Sequence, residues 1–412
     1  MKMHFSTSLA ILALLEFAAA ATCPTSGPPT YPKATENNTA FIPFINKFPD
    51  INTTPSLTFT VMTKDLETLK RGPVSIKSAG MDTGSTGVMI GAGVLGFDEK
   101  TPFNKTKPGN EYLSSSGRLW QGYWVDANLT FPAMVDERTI GEDVVATVPI
   151  LIVTEASICR AWKTQGSCTE AQKSNITMYP KDIHYMGVGF GRWSSEQPDA
   201  LPDKVSLINI ASIGGRPVKS TIHQGYVLGK DGVEVGLTSE NTEGFCKTQL
   251  DVRSGSNSTI DWNMVNMAIK VNDSPYDHGP ALFDTGIPQA FLRVNKDVRS
   301  HFKNVTSKAI KTHPQVAAKG TVVVVHIPNE KNPIATYNVT AQGAGKPNPA
   351  TMQPSGFVLE DPPVAPNVPF INTGRMFYNG FDALFDSACG WFGLAELEET
   401  SAKRVKRATC PS

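Results

Sequence analysis

The chain has 412 residues, with 38 basic and 38 acidic side chains and therefore no formal net charge at pH 7. Charged residues make up only 18% of the sequence, so no basic surface is expected for nucleic acid or for an anionic membrane. After the N-terminal segment, no stretch reaches the roughly 18 consecutive apolar residues of a membrane-spanning helix. We predict neither a nucleic-acid partner nor a membrane anchor.

Residues 1–21 have the features of a secretory signal. Lys2 and His4 precede an apolar run from Leu9 to Phe17, and the alanines Ala18–Ala21 offer a small-residue cleavage site. The sequence therefore predicts a secreted, extracellular protein. The remaining roughly 390 residues are more than one core usually holds, and we predict two lobes, residues 22–245 and 246–412.

An even number of cysteines in an exported chain predicts disulfides, and six cysteines allow fifteen pairings. We favour a bond between Cys159 and Cys168, because the short segment between them contains a glycine and can close as a surface loop. The other pairings stay open. The cysteines are Cys23, Cys159, Cys168, Cys246, Cys389 and Cys410.

Nine Asn-x-Ser/Thr sequons are spread along the chain after the signal. Their spread predicts a glycosylated surface, with some unused sequons as the alternative. The asparagines are Asn37, Asn52, Asn104, Asn128, Asn175, Asn257, Asn272, Asn304 and Asn338.

Runs of β-branched and aromatic residues, separated by glycine, proline and asparagine, predict strands along most of the chain. The clearest runs are Leu57–Met62, Pro73–Lys77, Val144–Val153 and Thr321–His326. Helical periodicity is sparse, and Asp297–Lys311 is the best candidate. We therefore predict a mostly β fold.

Two copies of Asp-Thr-Gly, Asp82–Gly84 and Asp284–Gly286, lie about two hundred residues apart, and each follows an apolar run. At ordinary residue frequencies such a pair arises by chance in only a few chains per thousand. Two carboxylates that share a site cannot both ionise, so one holds a proton while the other accepts one from water. Such a pair makes a water nucleophile without a metal or a cofactor, and we predict neither.

Together these motifs resemble the pepsin-like aspartic peptidases. Further segments are similar to that family: Tyr185–Gly191, Thr259–Trp262, Phe370–Phe377 and Phe381–Ala395. The resemblance extends from roughly Leu57 to Ala395. It implies a bilobal, mostly β fold with a cleft between the lobes. It also implies an aspartic endopeptidase that acts on peptides or proteins at acidic pH, as a monomer.

The resemblance also implies a role for each residue of the two loops. Asp82 and Asp284 would be the catalytic pair, one acting as base and the other as acid. Glycine allows a sharp turn and offers its N–H to a carboxylate, and threonine supplies a hydroxyl for cross-bracing. The supporting residues are Thr83, Gly84, Ser85, Thr285 and Gly286.

Two departures from the family pattern bear on activity. Ser85 follows the first motif as expected, but Ile287 follows the second, which predicts that Asp284 is one hydrogen bond short. The flap hairpin is unusual, because Tyr112 serves there only if the hairpin is roughly two residues longer than usual. Otherwise the flap consists of Ser114, Ser115, Ser116 and Gly117. The alternative function is therefore a weak or inactive homologue, acting as a binding or inhibitor-type protein.

Other chemistries have little support in the sequence. Gly91–Gly96 matches the dinucleotide fingerprint by letter, but Pro102 and Pro108 prevent the long helix that this motif needs, so we predict a loop. There is no Gly-x-Ser-x-Gly, His-Glu-x-x-His or Cys-x-x-Cys motif. The seven histidines are scattered without metal-ligand spacing.

Overall fold

The computed structural model describes residues 23–24, 26–101, 103–135, 138–139, 141–162, 166–192, 201–253, 261–304, 315–343, 351–360, 368–399, 404–406 and 410. The predicted signal segment and Asn257 lie outside the described residues. Among the described residues, no helix is long and apolar enough to cross a membrane.

The fold is mostly β, as predicted, with 44% strand and 8% helix. In chain order the strands are β1 Ala40–Pro43, β2 Ser56–Thr63, β3 Val74–Asp82, β4 Thr86–Gly91, β5 Pro108–Leu113, β6 Arg118–Phe131, β7 Met134–Val135, β8 Arg138–Thr139, β9 Val144–Ile158, β10 Thr177–Met178, β11 His184–Val188, β12 Ile210–Ile213, β13 Arg216–Pro217, β14 Gly225–Leu228, β15 Gly232–Val235, β16 Cys246–Gln249, β17 Asn266–Val271, β18 Asp277–Leu282, β19 Ala290–Arg293, β20 Phe302–Asn304, β21 Gln315–Ala317, β22 Val322–Ile327, β23 Ala335–Thr340, β24 Phe357–Leu359, β25 Phe370–Asn372, β26 Phe381–Asp386, β27 Trp391–Glu399 and β28 Arg404–Lys406. The helices are α1 Lys64–Thr68, α2 Glu170–Lys173 and the 3-10 turns Pro202–Lys204, Ser206–Ile208, Lys296–His301 and Arg375–Asn379.

The four runs that predicted strands coincide with parts of β2, β3, β9 and β22, with Pro73 and Thr321 each one residue before the strand begins. In β2 every second side chain is buried, which is the period of a strand with one face on the core. The predicted helix over Asp297–Lys311 is wrong in its described part: a 3-10 turn ends at His301, and Phe302–Asn304 pairs with Gln315–Ala317 as a strand. Sheet pairing therefore overrides the local helical pattern.

Two large sheets form barrel-like lobes. One has the order β13-β12-β9-β4-β11-β3-β2-β6-β5, and because β6 also pairs with β9, that sheet curls back on itself. The other has the order β20-β21-β24-β19-β25-β18-β17-β22-β23. A third sheet, β1-β15-β14-β26-β27-β16 with β28, takes strands from both sides of the predicted boundary at residue 245.

The two large sheets contain the same four-strand arrangement. In the first, β3 runs parallel to β11, β11 pairs antiparallel with β4, and β4 runs parallel to β9. In the second, β18, β25, β19 and β24 repeat these relations in the same order. Each arrangement places one Asp-Thr-Gly motif at the carboxyl end of its first strand, β3 or β18.

Three disulfides join the six cysteines, and two of them tie distant parts of the chain together. The structure pairs Cys159 with Cys168, as predicted from the loop between them, and also pairs Cys23 with Cys389 and Cys246 with Cys410. The last two bonds attach the first and last described segments to the third sheet, at the turn after β26 and at β16. Sequence alone left these two pairings open.

The described sequons differ in exposure. Asn37 and Asn272 are half-buried, and the side-chain amide nitrogen of Asn272 lies 3.0 Å from His301 Nδ1. For Asn304 the structure describes only the backbone. Glycosylation at all nine positions stays a prediction. The exposed asparagines are Asn52, Asn104, Asn128, Asn175 and Asn338.

Candidate active site

The two Asp-Thr-Gly motifs meet in space as two tight turns. The backbone N–H of Gly84 donates to Oδ1 of Asp82 over 2.6 Å, and the N–H of Gly286 donates to Oδ1 of Asp284 over the same distance. Each turn therefore bonds its own carboxyl group two residues back. This bond fixes the rotamer of both aspartates.

The two threonines brace the turns against each other. The backbone N–H of Thr83 donates to Oγ1 of Thr285, and the N–H of Thr285 donates to Oγ1 of Thr83, both over 3.0 Å. Each hydroxyl then donates across to the other strand: Thr285 to the carbonyl of Met81 over 2.8 Å, and Thr83 to the carbonyl of Phe283. Both hydroxyls accept one bond and donate one, so four bonds pin the loops together.

The carboxyl groups lie against the opposite loops. A methyl group on Gly84 would lie 2.6 Å from Oδ2 of Asp284, and one on Gly286 would lie 2.6 Å from Oδ1 of Asp82. Only glycine leaves room at these two positions. The carboxyls therefore face each other across the turns, and both aspartates are buried, with 6% and 5% of their surface exposed.

Burial raises the pKa of Asp284 well above its usual range, and the charge of Asp82 and a hydrogen bond between the two carboxyls raise it further. Two buried carboxyls this close together favour a state in which one proton is held between them. An arrangement of this kind is able to activate water by accepting one proton and donating another.

The outer oxygen of Asp82 is Oδ2, the one that does not accept the bond from Gly84. Two hydroxyl groups lie within hydrogen-bond distance of it. Ser85 Oγ lies 3.1 Å from Oδ2 of Asp82, in the position that the sequence predicted. Tyr185, on β11, donates its phenol O–H to the same oxygen. Because β11 runs parallel to β3, with Tyr185 opposite Gly80 and Gly187 opposite Asp82, Tyr185 lies two residues along the sheet from Asp82, on the same face. The sequence marked the segment that begins at Tyr185 but did not indicate this role.

The prediction that Asp284 lacks a hydrogen bond is wrong. Nδ2 of Asn372 donates to Oδ2 of Asp284 over 2.6 Å. Oδ1 of Asn372 accepts a bond from the N–H of Gly374 at 3.0 Å, which fixes the orientation of the amide. The donor comes from the neighbouring parallel strand β25, while Ile287 packs against apolar side chains such as Phe291.

The predicted flap hairpin consists of β5 and β6 with a tight turn over Ser114–Gly117, where Gly117 has a φ of 71°. Tyr112, the predicted flap tyrosine, has only 2% of its surface exposed and packs against Leu119 and Cys159. On the return strand, Trp120 contacts Tyr185 edge to face, with ring centroids 5.3 Å apart. The tyrosine that donates to Asp82 is Tyr185.

Two arginines that the sequence analysis did not single out bind the backbone of the Asp-Thr-Gly turns. Arg192 Nε donates to the carbonyl of Gly84 over 2.5 Å, and Arg375 Nη2 donates to the carbonyl of Gly286 over 2.6 Å. Burial lowers the pKa of Arg375, and the carboxyls of the dyad oppose that shift. Each guanidinium holds one turn from outside the pair.

Two other sequence expectations concern cofactors and metals. Gly91–Gly96 follows β4 as a series of turns, with Val94 N–H bonded to the Gly91 carbonyl, so this segment is a loop as predicted. Among the described residues, His223, Asp386 and Cys389 have the spacing of metal ligands. The sulfur of Cys389 is bonded to Cys23, however, and is not a thiolate ligand.

Comparison of the sequence with models of known protein families finds no match, and a search of curated proteins finds none either.

Proposed function

We propose that this protein is a secreted aspartic-type endopeptidase that hydrolyses peptide bonds at acidic pH. The observation that carries the proposal is the pairing of Asp82 and Asp284: two buried carboxyls lie across two glycine turns that are locked together by Thr83 and Thr285. Two carboxyls in such a site share a proton, and that property is what water activation without a metal requires.

In the proposed reaction, Asp82 is ionised and Asp284 is protonated at the start. Asp82 accepts a proton from water as the water oxygen attacks the peptide carbonyl carbon, and Asp284 gives its proton to the carbonyl oxygen. The tetrahedral diol then collapses. Asp82 returns its proton to the amide nitrogen, the C–N bond breaks, and Asp284 recovers a proton from the diol, so that the pair is regenerated.

The fold features support a bilobal, pepsin-like arrangement, which is part of the proposal. Each large sheet repeats the same four strands around one Asp-Thr-Gly motif, as expected when two lobes each supply half of a site. Three disulfides and the spread of sequons fit an extracellular glycoprotein. A peptide or protein is the expected substrate, and the enzyme is expected to work as a monomer.

Digestion of a denatured protein across pH 3 to 7, with and without a statine-type inhibitor, tests the proposal. We expect cleavage that the inhibitor blocks and that an Asp82→Asn variant lacks. Cleavage that survives the inhibitor, or that needs a metal, would assign the activity to another class. A folded parent with no cleavage at any pH would contradict the enzyme.

The second candidate is a catalytically weak or inactive homologue that binds peptides or a foreign enzyme. One observation favours it: Tyr112 is buried against Leu119 and Cys159, which leaves a serine-rich turn at the tip of the hairpin. Binding of the statine-type inhibitor without any turnover, measured by calorimetry, would support this candidate over the enzyme.

A further inference from the structure

Tyr185 makes an unusual contact with the dyad. Its phenol donates to Oδ2 of Asp82, and its oxygen lies 3.0 Å from Oγ of Ser85, which also lies within 3.1 Å of the same carboxylate oxygen. A phenol has one proton to donate and an oxygen that can accept. When Tyr185 donates to Asp82, it is therefore able to accept from Ser85, and the two hydroxyls reinforce each other.

We propose that Tyr185 is a positioning residue that stabilises Asp82 as the ionised member of the pair and so makes Asp82 the base. This inference rests on the proposed function and deepens it. Oδ2 of Asp82 accepts a phenol O–H that a bond from Ser85 strengthens, whereas Oδ2 of Asp284 accepts one amide N–H. Bonds to a carboxylate favour its charged form, so the difference polarises the pair toward ionised Asp82.

The phenol is fixed by its surroundings. The ring of Tyr185 packs edge to face against Trp120 at an interplanar angle of 73°, and Trp120 stands opposite Glu111 in the flap hairpin. A donor held in this way loses less side-chain entropy when it bonds the carboxylate. The contact also links the hairpin to the dyad through one aromatic pair.

Tyr185 keeps its proton at every pH at which the enzyme is proposed to work. Burial raises the pKa of Tyr185 well above its usual range, and the nearby charge of Asp82 raises it further. The titratable or charged groups that act on Asp82 or on this phenol come from several elements. They are Asp284, Tyr378, Arg375 and Glu111.

The test compares Tyr185→Phe with the parent by NMR titration of carboxyl-labelled aspartate. We expect the lower apparent pKa of the pair to rise by about one pH unit, because a bond to the charged form is lost and Ser85 replaces only part of it. In turnover assays, the acidic limb of the pH profile should move to higher pH by a similar amount. A structural role alone would lower the rate at every pH without moving this limb.

Tyr226→Phe is the matched control. Its phenol is also buried and donates to the carbonyl of Val188, on the same strand as Tyr185, over 2.7 Å. Loss of the Tyr226 hydroxyl should leave the apparent pKa values of the Asp82–Asp284 pair unchanged. An unchanged lower pKa in Tyr185→Phe, or an equal change in the control, would overturn the inference.

A measurement on the parent covers the case in which Tyr185→Phe does not fold. The labelled Cζ carbon of Tyr185 should respond to acid with the same midpoint as Asp82, because protonation of Asp82 weakens the bond that it accepts. A flat response would refute the contact. Neither titration requires turnover, so an inactive parent would contradict the proposed function while leaving the role of Tyr185 to be decided by NMR.

Discussion

Removal of the amide of Asn372 is the sharpest test of how Asp284 works. In the proposed reaction, Asp284 gives its proton to the substrate and becomes an anion, and the N–H of Asn372, 2.6 Å away, stabilises that anion. A hydrogen bond to a charged group is worth about 1.5–3 kcal/mol. If all of it acts on the barrier, Asn372→Ala lowers kcat/KM by about 10- to 150-fold, since about 1.4 kcal/mol is one decade in rate.

The same change should alter the pH profile. Loss of a donor to the charged form raises the pKa of Asp284 still further, so the acid stays protonated to higher pH. The neutral limb of the profile should therefore move upward. This is a different limb from the one that Tyr185→Phe is expected to move, which separates the two residues.

Kinetics on a fluorogenic peptide from pH 3 to 7, together with thermal unfolding, measure both effects. Asn372→Leu keeps more of the side-chain volume than alanine, so a similar loss in both variants excludes a cavity effect. Ile287→Thr should change the parent by less than about threefold, because Oδ2 of Asp284 already has a donor. In the Asn372→Ala background, the same threonine should restore part of the rate.

An Asn372→Ala protein that is well folded and within about twofold of the parent would refute this reasoning. So would a large gain from Ile287→Thr alone, because that gain would mean that Asp284 lacks a useful donor despite its contact with Asn372.

Three further predictions concern the dyad and its brace. Asp82→Asn and Asp284→Asn should each abolish cleavage without unfolding the protein, and the double variant should be no worse; retention of most activity by either would contradict the mechanism. Asp284→Asn should also raise the melting temperature at pH 7 but not near pH 3.5. Because the pKa of Asp284 is raised in the folded state, the carboxyl does not destabilise the fold below its unfolded pKa of about 3.9, and its destabilising effect grows as pH rises toward the folded pKa. Equal shifts in melting temperature at both pH values would count against a buried, coupled carboxyl. Thr285→Val should lower the free energy of unfolding by about 1–3 kcal/mol, because its partners lose their bonds, while Thr285→Ser should retain most of it in denaturant titrations.

The bonds of the two Asp-Thr-Gly turns could be predicted from sequence because they are local or symmetric. Gly84 bonds a carboxyl two residues back, and the repeated motif indicates that Thr83 meets Thr285. The strand pattern of β2 could also be predicted, since the alternating apolar residues Leu57, Phe59 and Val61 are buried.

Two donors to the carboxyl oxygens, Asn372 and Tyr185, could not be predicted from sequence, because they come from strands far along the chain. Asn372 is 88 residues from Asp284, and Tyr185 is 103 residues from Asp82. Only the parallel pairing of β25 with β18 and of β11 with β3 brings them together. Ile287 therefore led to a wrong prediction about the hydrogen bonds of Asp284. The residue type that follows the motif gives no information about donors on the neighbouring strand.

The energetics of the pair favour the enzyme over a protein that only binds. Forcing a carboxyl pKa upward costs about 1.4 kcal/mol of stability per unit at neutral pH, from a total that is usually 5–15 kcal/mol. A binding site gains nothing from that cost, and one asparagine would relieve it. Here both acids remain, and four groups donate hydrogen bonds to their four oxygens: the N–H groups of the two glycine turns, Tyr185 and Asn372. Donors that stabilise the charged form of a buried carboxyl serve proton transfer. We infer that proton transfer is the reason why this destabilising carboxyl pair is kept.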